Sequence, residues 1–235
     1  MFFKEFPGVS YQFGNEVDFT FVQDLSAYVD IIDDIKDNID FYNFYDIVDE
    51  RPDQLSFKLY GDVSYYWTFY LLNDKIRRQG WPIRQVEIDD WIKSRYNNTV
   101  ITTRNVLDGT FEVDGTITGV SSAETGTIYK RVEDLGQLFI SGTKSFTANE
   151  LIRDAEANTV TVYSSVVEYN AIKHYLDSDG FADIDPTQGP GALLTPVTYY
   201  NFLVEENNNL RNIKVLKPEA LNSVVSAYRE ALRSQ

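Results

Sequence analysis

The apolar residues change their spacing twice along this chain, and that change constrains the fold more than any other feature. Residues 41–97 carry apolar side chains at helical spacing. Residues 98–165 set them in short alternating runs broken by Gly109, Gly115, Gly119, Gly126, Gly136 and Gly142. Residues 166–235 return to helical spacing. A chain patterned this way is α+β, with a strand-rich stretch set between two helix-rich ones.

Within 41–97, Phe41 to Val48 reads as a strand and Asp49-Glu50-Arg51 as a turn. Pro52 suits the first position of a helix, Asp53 its positive end, and Gly61 its left-handed stop. A second helix is expected over about Val63–Leu72, ended by Asn73-Asp74, and a third over about Glu87–Tyr96. In the middle stretch, Phe111–Ile117 is loosely echoed by Phe146–Ile152, and Glu124–Ile128 by Glu156–Val160. Two similar halves suggest a small antiparallel β-barrel. Beyond it, the spacing predicts a helix over Val166–Leu176, a loop from Asp177 to Pro196, and a helix capped by Thr198. Arg211–Leu216 reads as a short strand or extended linker. Pro218 then opens an amphipathic helix with Leu221, Val224, Val225, Tyr228 and Leu232 on one side.

Four segments follow from this: an acidic arm (1–40), an αβ domain (41–97), an inserted β-barrel (98–165) and a helical and extended C-terminal region (166–235). Between Asp18 and Asp53, eleven acidic residues face only Lys36 and Arg51. That stretch reads as a solvated face, or as an arm that docks on a basic partner.

Composition narrows the function. Twenty-one basic against thirty-six acidic residues leave a net charge of −15, which disfavours nucleic acid and anionic membranes as partners. Cysteine is absent and His174 is the one histidine, which removes disulfides, thiol catalysis and any two-histidine metal site within one chain. No apolar run reaches the length of a membrane-spanning helix, and the charged start Met1–Pro7 does not read as a signal peptide. A soluble intracellular origin is the expectation. Aromatic residues make up 14% of the chain, which fits either a well-filled core or several interfaces.

No catalytic signature emerges. His174 lacks a nucleophile elbow nearby and reads as a structural or surface residue. Gly136–Ser145 has five residues between its glycines, where a phosphate loop has four. Asp177–Asp185 reads as an acidic turn, because Gly180 comes too early for a calcium loop and the twelfth position is Gln188. Asn97-Asn98-Thr99 matches a glycosylation acceptor only as a pattern. Carboxylates are plentiful, but no spacing sets apart an acid and a base. No cofactor and no metal are expected.

The ordered set Tyr45-Asp46-Ile47, Arg51-Pro52-Asp53-Gln54-Leu55, Leu59-Tyr60-Gly61-Asp62, Trp67 and Leu71-Leu72-Asn73 resembles a LysM module. More closely, the stretch from Glu50 to Asp74, ERPDQLSFKLYGDVSYYWTFYLLND, resembles the gene-product-fifty-three family of baseplate wedge proteins from contractile-tailed bacteriophages. Phe6-Pro7 with Tyr11, Trp81-Pro82 and the Glu87–Tyr96 helix are similar to that family as well. So is the C-terminal stretch TYYNFLVEENNNLRNIKVLKPEALNSVVSAYREAL. The middle segment resembles small β-barrel repeats of phage tail proteins.

The resemblance implies a LysM-like αβ domain, an inserted barrel and a helical extension. It further implies a non-enzymatic structural protein of the virion tail baseplate, assembled in the host cytoplasm. Its implied partners are other wedge proteins, the tail sheath initiator and neighbouring copies in a six-fold ring. The residues expected at such interfaces are Arg51, Tyr60, Asn73, Arg211, Ile213, Val215, Leu216, Leu221, Val225 and Tyr228. As a LysM module proper it implies instead a peptidoglycan or N-acetylglucosamine site near Glu50, Arg51, Asn73 and Asp74. Packing of the C-terminal helix on its own domain is the plainer alternative to an interface there.

Overall fold

A computed structural model describes residues 8–11, 20–23, 38–103, 107, 110–180, 182–183 and 194–233. The chain divides into two compact units, residues 1–85 with 207–235, and residues 86–206. The acidic arm lies largely outside the described residues. Two of its segments, β1 (Gly8–Tyr11) and β2 (Thr20–Gln23), form an antiparallel pair.

The first unit is built around β3 (Tyr42–Asp46) and three helices: α1 (Pro52–Tyr60), α2 (Trp67–Leu72) and α3 (Asp74–Gln79). Pro52 does open α1, and Gly61 ends it at φ 72°, where its N–H bonds to the Phe57 carbonyl at 2.8 Å. A 3-10 turn over Val63–Tyr65 precedes α2, so the single expected second helix is two pieces. The β-sheet partner of β3 does not come from residues 41–97. The antiparallel strand that pairs with it is β14 (Asn212–Leu216), with Lys214 opposite Phe44. The expected 41–97 domain is therefore completed by the chain's C-terminal region.

Both faces of this two-stranded sheet carry buried residues. Ile213 and Val215 project to one side and pack with Ile47, Leu55, Phe69 and Ile76. Tyr42 and Leu216 project to the other and meet Trp67, Leu71 and Leu72, along with Leu221, Val224, Val225 and Tyr228. These last four belong to α6 (Pro218–Arg233), at spacings of three and four residues that make one apolar stripe. Trp67 and Tyr228 stack with ring centroids 5.5 Å apart.

The second unit starts with α4 (Ile88–Arg95) and continues through β4 (Thr99–Thr102), β5 (Thr116–Gly119), β6 (Thr125–Val132) and β7 (Gln137–Ile140). Next come β8 (Leu151–Arg153), β9 (Thr159–Thr161) and β10 (Ser164–Val167). These seven strands run in the order β10-β4-β7-β6-β5-β8-β9. No ladder joins β9 to β10, so the strands do not close into the expected barrel. The chain itself crosses between the two edges at Val162-Tyr163: Val162 N–H bonds to the Glu150 carbonyl and Tyr163 N–H to the Thr102 carbonyl.

The Phe111/Phe146 echo is a real repeat of backbone. Asp114 and Asn149 share φ 67°, and their N–H groups bond at 2.8 Å to the carbonyls of Ile128 and Val162. Ala123 and Ala157, also at positive φ, close the two hairpin turns by bonding to Gly119 and Asp154. Ile128 thus corresponds to Val162, two residues beyond the partner the sequence suggests. Where the first copy has Gly115 the second has Glu150, and this acid is 4% exposed. Its carboxylate accepts N–H groups from Ser121, Ser122 and Thr147. Burial pushes the Glu150 pKa up, but these bonds outweigh it and the carboxyl sits below its usual range.

The expected helix over Val166–Leu176 is absent. Those residues form β10, a 3-10 turn over Glu168–Asn170, and β11 (Ile172–Leu176). β11 lies between β12 (Ala182–Asp183) and β13 (Thr195–Thr198). His174 is therefore on a strand, edge-on to Phe202, and burial with the neighbouring Lys173 lowers its pKa. α5 (Tyr199–Asn209) follows, with Thr198 Oγ1 accepting the Asn201 N–H as the cap predicts. In this unit Tyr96, Tyr199, Phe139 and Tyr129 form a continuous chain of ring contacts, which uses aromatic content for packing.

Candidate interaction surface

Three of the residues singled out from the sequence, Asn73, Tyr60 and Arg211, brace β14 and the turn before it inside the first unit. Asn73, at the joint between α2 and α3, aligns its amide with the outer edge of β14. Its Oδ1 accepts the Lys214 N–H and its Nδ2 donates to the Lys214 carbonyl, both at 2.8 Å. Nδ2 also donates to the Phe69 carbonyl at 2.8 Å. Tyr60 donates its hydroxyl to the Leu216 carbonyl at 3.1 Å, while its ring stacks on Phe69. Burial pushes the Tyr60 pKa up to about 12.

Arg211 ties three backbone segments together. Its guanidinium donates to the carbonyls of Ile47 and Val48 and, at 2.8 Å, to that of Ile83, with Asp49 3.5 Å away. A planar fork of donors suits this role. Asn207 assists: its amide donates to the Ile83 carbonyl at 3.0 Å and accepts the Ile83 N–H at 2.7 Å.

Ile213, Val215, Leu216, Leu221, Val225 and Tyr228 are all under 9% exposed within the unit's own core. Their side chains are not offered to a partner, because the C-terminal strand and helix bury their apolar surface against α1, α2 and β3. The plainer reading of α6 is the one the structure takes. Of the ten residues, Arg51 alone is well exposed, beside Asp53 at 2.9 Å.

The groove expected for a glycan is likewise committed to structure. Glu50 accepts from Lys58 Nζ at 2.7 Å, from the Tyr45 hydroxyl at 3.0 Å and from the Val48 N–H at 3.0 Å. Burial favours the protonated acid, but these bonds outweigh it and hold the Glu50 pKa at about 2. Asp74 pairs with Arg77 at 2.6 Å. A cavity of about 250 Å³ beside Asn73 is lined in part by Phe44, Leu72, Ile76, Leu210 and Lys214. Among the described residues, no cluster of His, Cys, Asp and Glu could hold a metal ion.

What the sequence reading missed is the other edge of the sheet. Because Lys214 turns its N–H and carbonyl to Asn73, the Lys214–Phe44 pair is a non-hydrogen-bonded one. Ile47 N–H bonding to Arg211 and Lys217 N–H bonding to Phe41 fix the same alternation. The N–H and C=O groups of Tyr42, Phe44 and Asp46 therefore point out of the sheet, away from β14. Among the described residues no strand pairs with them. Phe44 is 62% exposed, though an aromatic on a strand next to buried Tyr42 reads as core in sequence.

These features define a unit whose polar side chains brace its own strands and whose β3 edge pairs with no strand among the described residues. Residues 15–106 match the family of base plate wedge protein 53. The matched region includes β3 and the helices α1, α2 and α3 of the first unit. It ends before β14 and α6, so the C-terminal likeness noted in the sequence lies outside it. The match supports a structural role in a phage baseplate, in association with other baseplate proteins. No curated protein matches the chain.

Proposed function

We propose that this protein is a non-catalytic wedge subunit of a contractile phage tail baseplate. In this role it binds wedge core proteins, contacts the tail sheath initiator and helps join adjacent wedges around the hub. The family match over residues 15–106 carries the reading. The structure is compatible with it: two compact units, with Arg211, Asn73 and Tyr60 bracing the first as a rigid block. Co-expression with the other baseplate proteins of its phage tests the role. A defined hetero-oligomer containing the chain is the expected product, and a chain that stays alone with all of them present refutes it.

A LysM-like reading of the first unit finds support in element order, since β3, α1, α2 and β14 make a β-α-α-β arrangement with an antiparallel pair. Fold does not fix function, and Glu50 and Asn73 are already engaged within the chain. Pull-down on chitin and peptidoglycan tests glycan binding, with no retention expected.

A further inference from the structure

The two edges of the β3–β14 sheet are treated differently. Asn73 and Tyr60 cover the outer edge of β14 with side-chain hydrogen bonds to Lys214 and Leu216. Nothing comparable covers β3 among the described residues. An open edge is a template for another strand, and proteins ordinarily protect such an edge or use it.

The chemistry around this edge specifies its occupant. Tyr42, Phe44 and Asp46 share one face, because side chains alternate along a strand. Tyr42 is buried under α6, Phe44 offers an exposed ring, and Asp46 is an exposed acid whose Oδ1 accepts only the neutral Asn212 amide, at 2.6 Å. Asp40, also exposed, precedes the strand. Among the described residues no cation pairs with Asp40 or Asp46. A second copy of this chain is a poor occupant, since each carries a net charge of −15.

We propose that the outer edge of β3 is a docking site for an extended, basic segment of a neighbouring baseplate protein, which adds as an antiparallel strand. The segment places an apolar or aromatic residue opposite Phe44 and a lysine or arginine two residues earlier, opposite Asp46. The N–H and carbonyl of Phe44 bond to its backbone, the ring packs on the apolar side chain, and Asp46 meets the cation. This inference rests on the baseplate reading for the identity of the partner, but not for the existence of the edge.

Two arms test it on the full-length chain. In the first, the probe is the capped peptide Ser-Thr-Lys-Val-Phe-Val-Thr-Ser, and hydrogen exchange of backbone amides is read by NMR. Peptide binding is expected to slow exchange at Phe44 and Asp46 at least tenfold. The Asp46→Lys variant is expected to lose affinity at least tenfold, and to regain it for a peptide with Glu in place of Lys. Unchanged exchange at Phe44 with millimolar peptide overturns the proposal.

In the second arm, Phe44→Pro and Asp46→Lys are co-expressed with the other baseplate proteins. Proline there removes an outward N–H and no bond to β14, and Asp46→Lys serves if the proline variant fails to fold. Incorporation of each folded variant is expected to fall at least tenfold. Equal incorporation of wild type and variants overturns the edge proposal and leaves the baseplate reading standing. Failure of the wild type to incorporate overturns the baseplate reading, and the peptide arm then decides the edge alone. Dimers in sedimentation that Phe44→Pro dissolves would make the occupant a second copy, which also overturns the proposal.

Discussion

Replacing Asn73 by alanine isolates the contribution of one side chain to holding the C-terminal strand. The substitution removes three hydrogen bonds, two to the Lys214 backbone and one to the Phe69 carbonyl. At about 1 kcal/mol net for each part-buried bond, the loss is roughly 3 kcal/mol. With a urea dependence of roughly 1.5 kcal/mol per molar for a unit of this size, the midpoint falls by about 2 M. Trp67 and Trp81 report on this unit, and a Trp91→Phe background removes the signal of the other. The first unit is expected to unfold earlier, while the transition of residues 86–206, followed by Trp91 in a Trp67→Phe, Trp81→Phe background, stays in place. Asn73→Asp, nearly identical in shape, is expected to cost at least as much, because a carboxylate then faces the carbonyls of Phe69 and Lys214. Asn222→Ala, on the exposed face of α6, is the control and is expected to be neutral. A midpoint shift below about 0.3 M for Asn73→Ala would refute the assignment of that amide as the lock on β14.

Arg211→Lys keeps the charge but cannot reach the carbonyls of Ile47, Val48 and Ile83 at once, so a loss of about 2 kcal/mol in the same titration is expected. Tyr228→Ala empties a fully buried site stacked on Trp67 and is expected to cost about 3–5 kcal/mol, with limited proteolysis then cutting within α6. Glu150→Ala leaves the N–H groups of Ser121, Ser122 and Thr147 without their acceptor, and thermal unfolding of residues 86–206 should show a loss of about 3 kcal/mol. Glu50 has a folded pKa of about 2, below the ordinary 4.5, so it adds stability above pH 4.5 that disappears as pH falls towards 2. Lys58→Met is expected to flatten the stability profile of the first unit across that window, and an unchanged profile would contradict the assignment.

Local signals in the sequence carried the helices well. Pro52 and Gly61 mark α1 because each fixes a backbone angle by itself, and the Leu221–Tyr228 stripe marks α6 because a helix repeats its buried face within a few residues. Pairing partners were not legible in the same way. Phe41–Val48 announces a strand, but nothing in it says that its neighbour lies at Asn212–Leu216. Val166–Leu176 shows how a short apolar run misleads: it satisfies helical spacing, yet strand pairing with Thr99–Thr102 and Thr195–Thr198 decides its conformation. The site residues followed the same logic. Arg211 and Asn73 are marked only by the family likeness, and whether such a group faces a partner or its own backbone depends on tertiary placement. Phe44 lies on the same strand face as buried Tyr42, and its exposure is set by tertiary packing that periodicity does not reveal.

The late arrival of β14 gives translation a say in how this chain matures. A ribosome releases residues 41–85 long before it reaches 212–216, so β3 waits for its neighbour while residues 86–206 are made. A chain broken off anywhere before residue 212 lacks the strand and the helix that finish the first unit. Only a polypeptide that includes β14 and α6 can present a finished block, so products cut short before them are excluded by their own incompleteness from whatever that block assembles into.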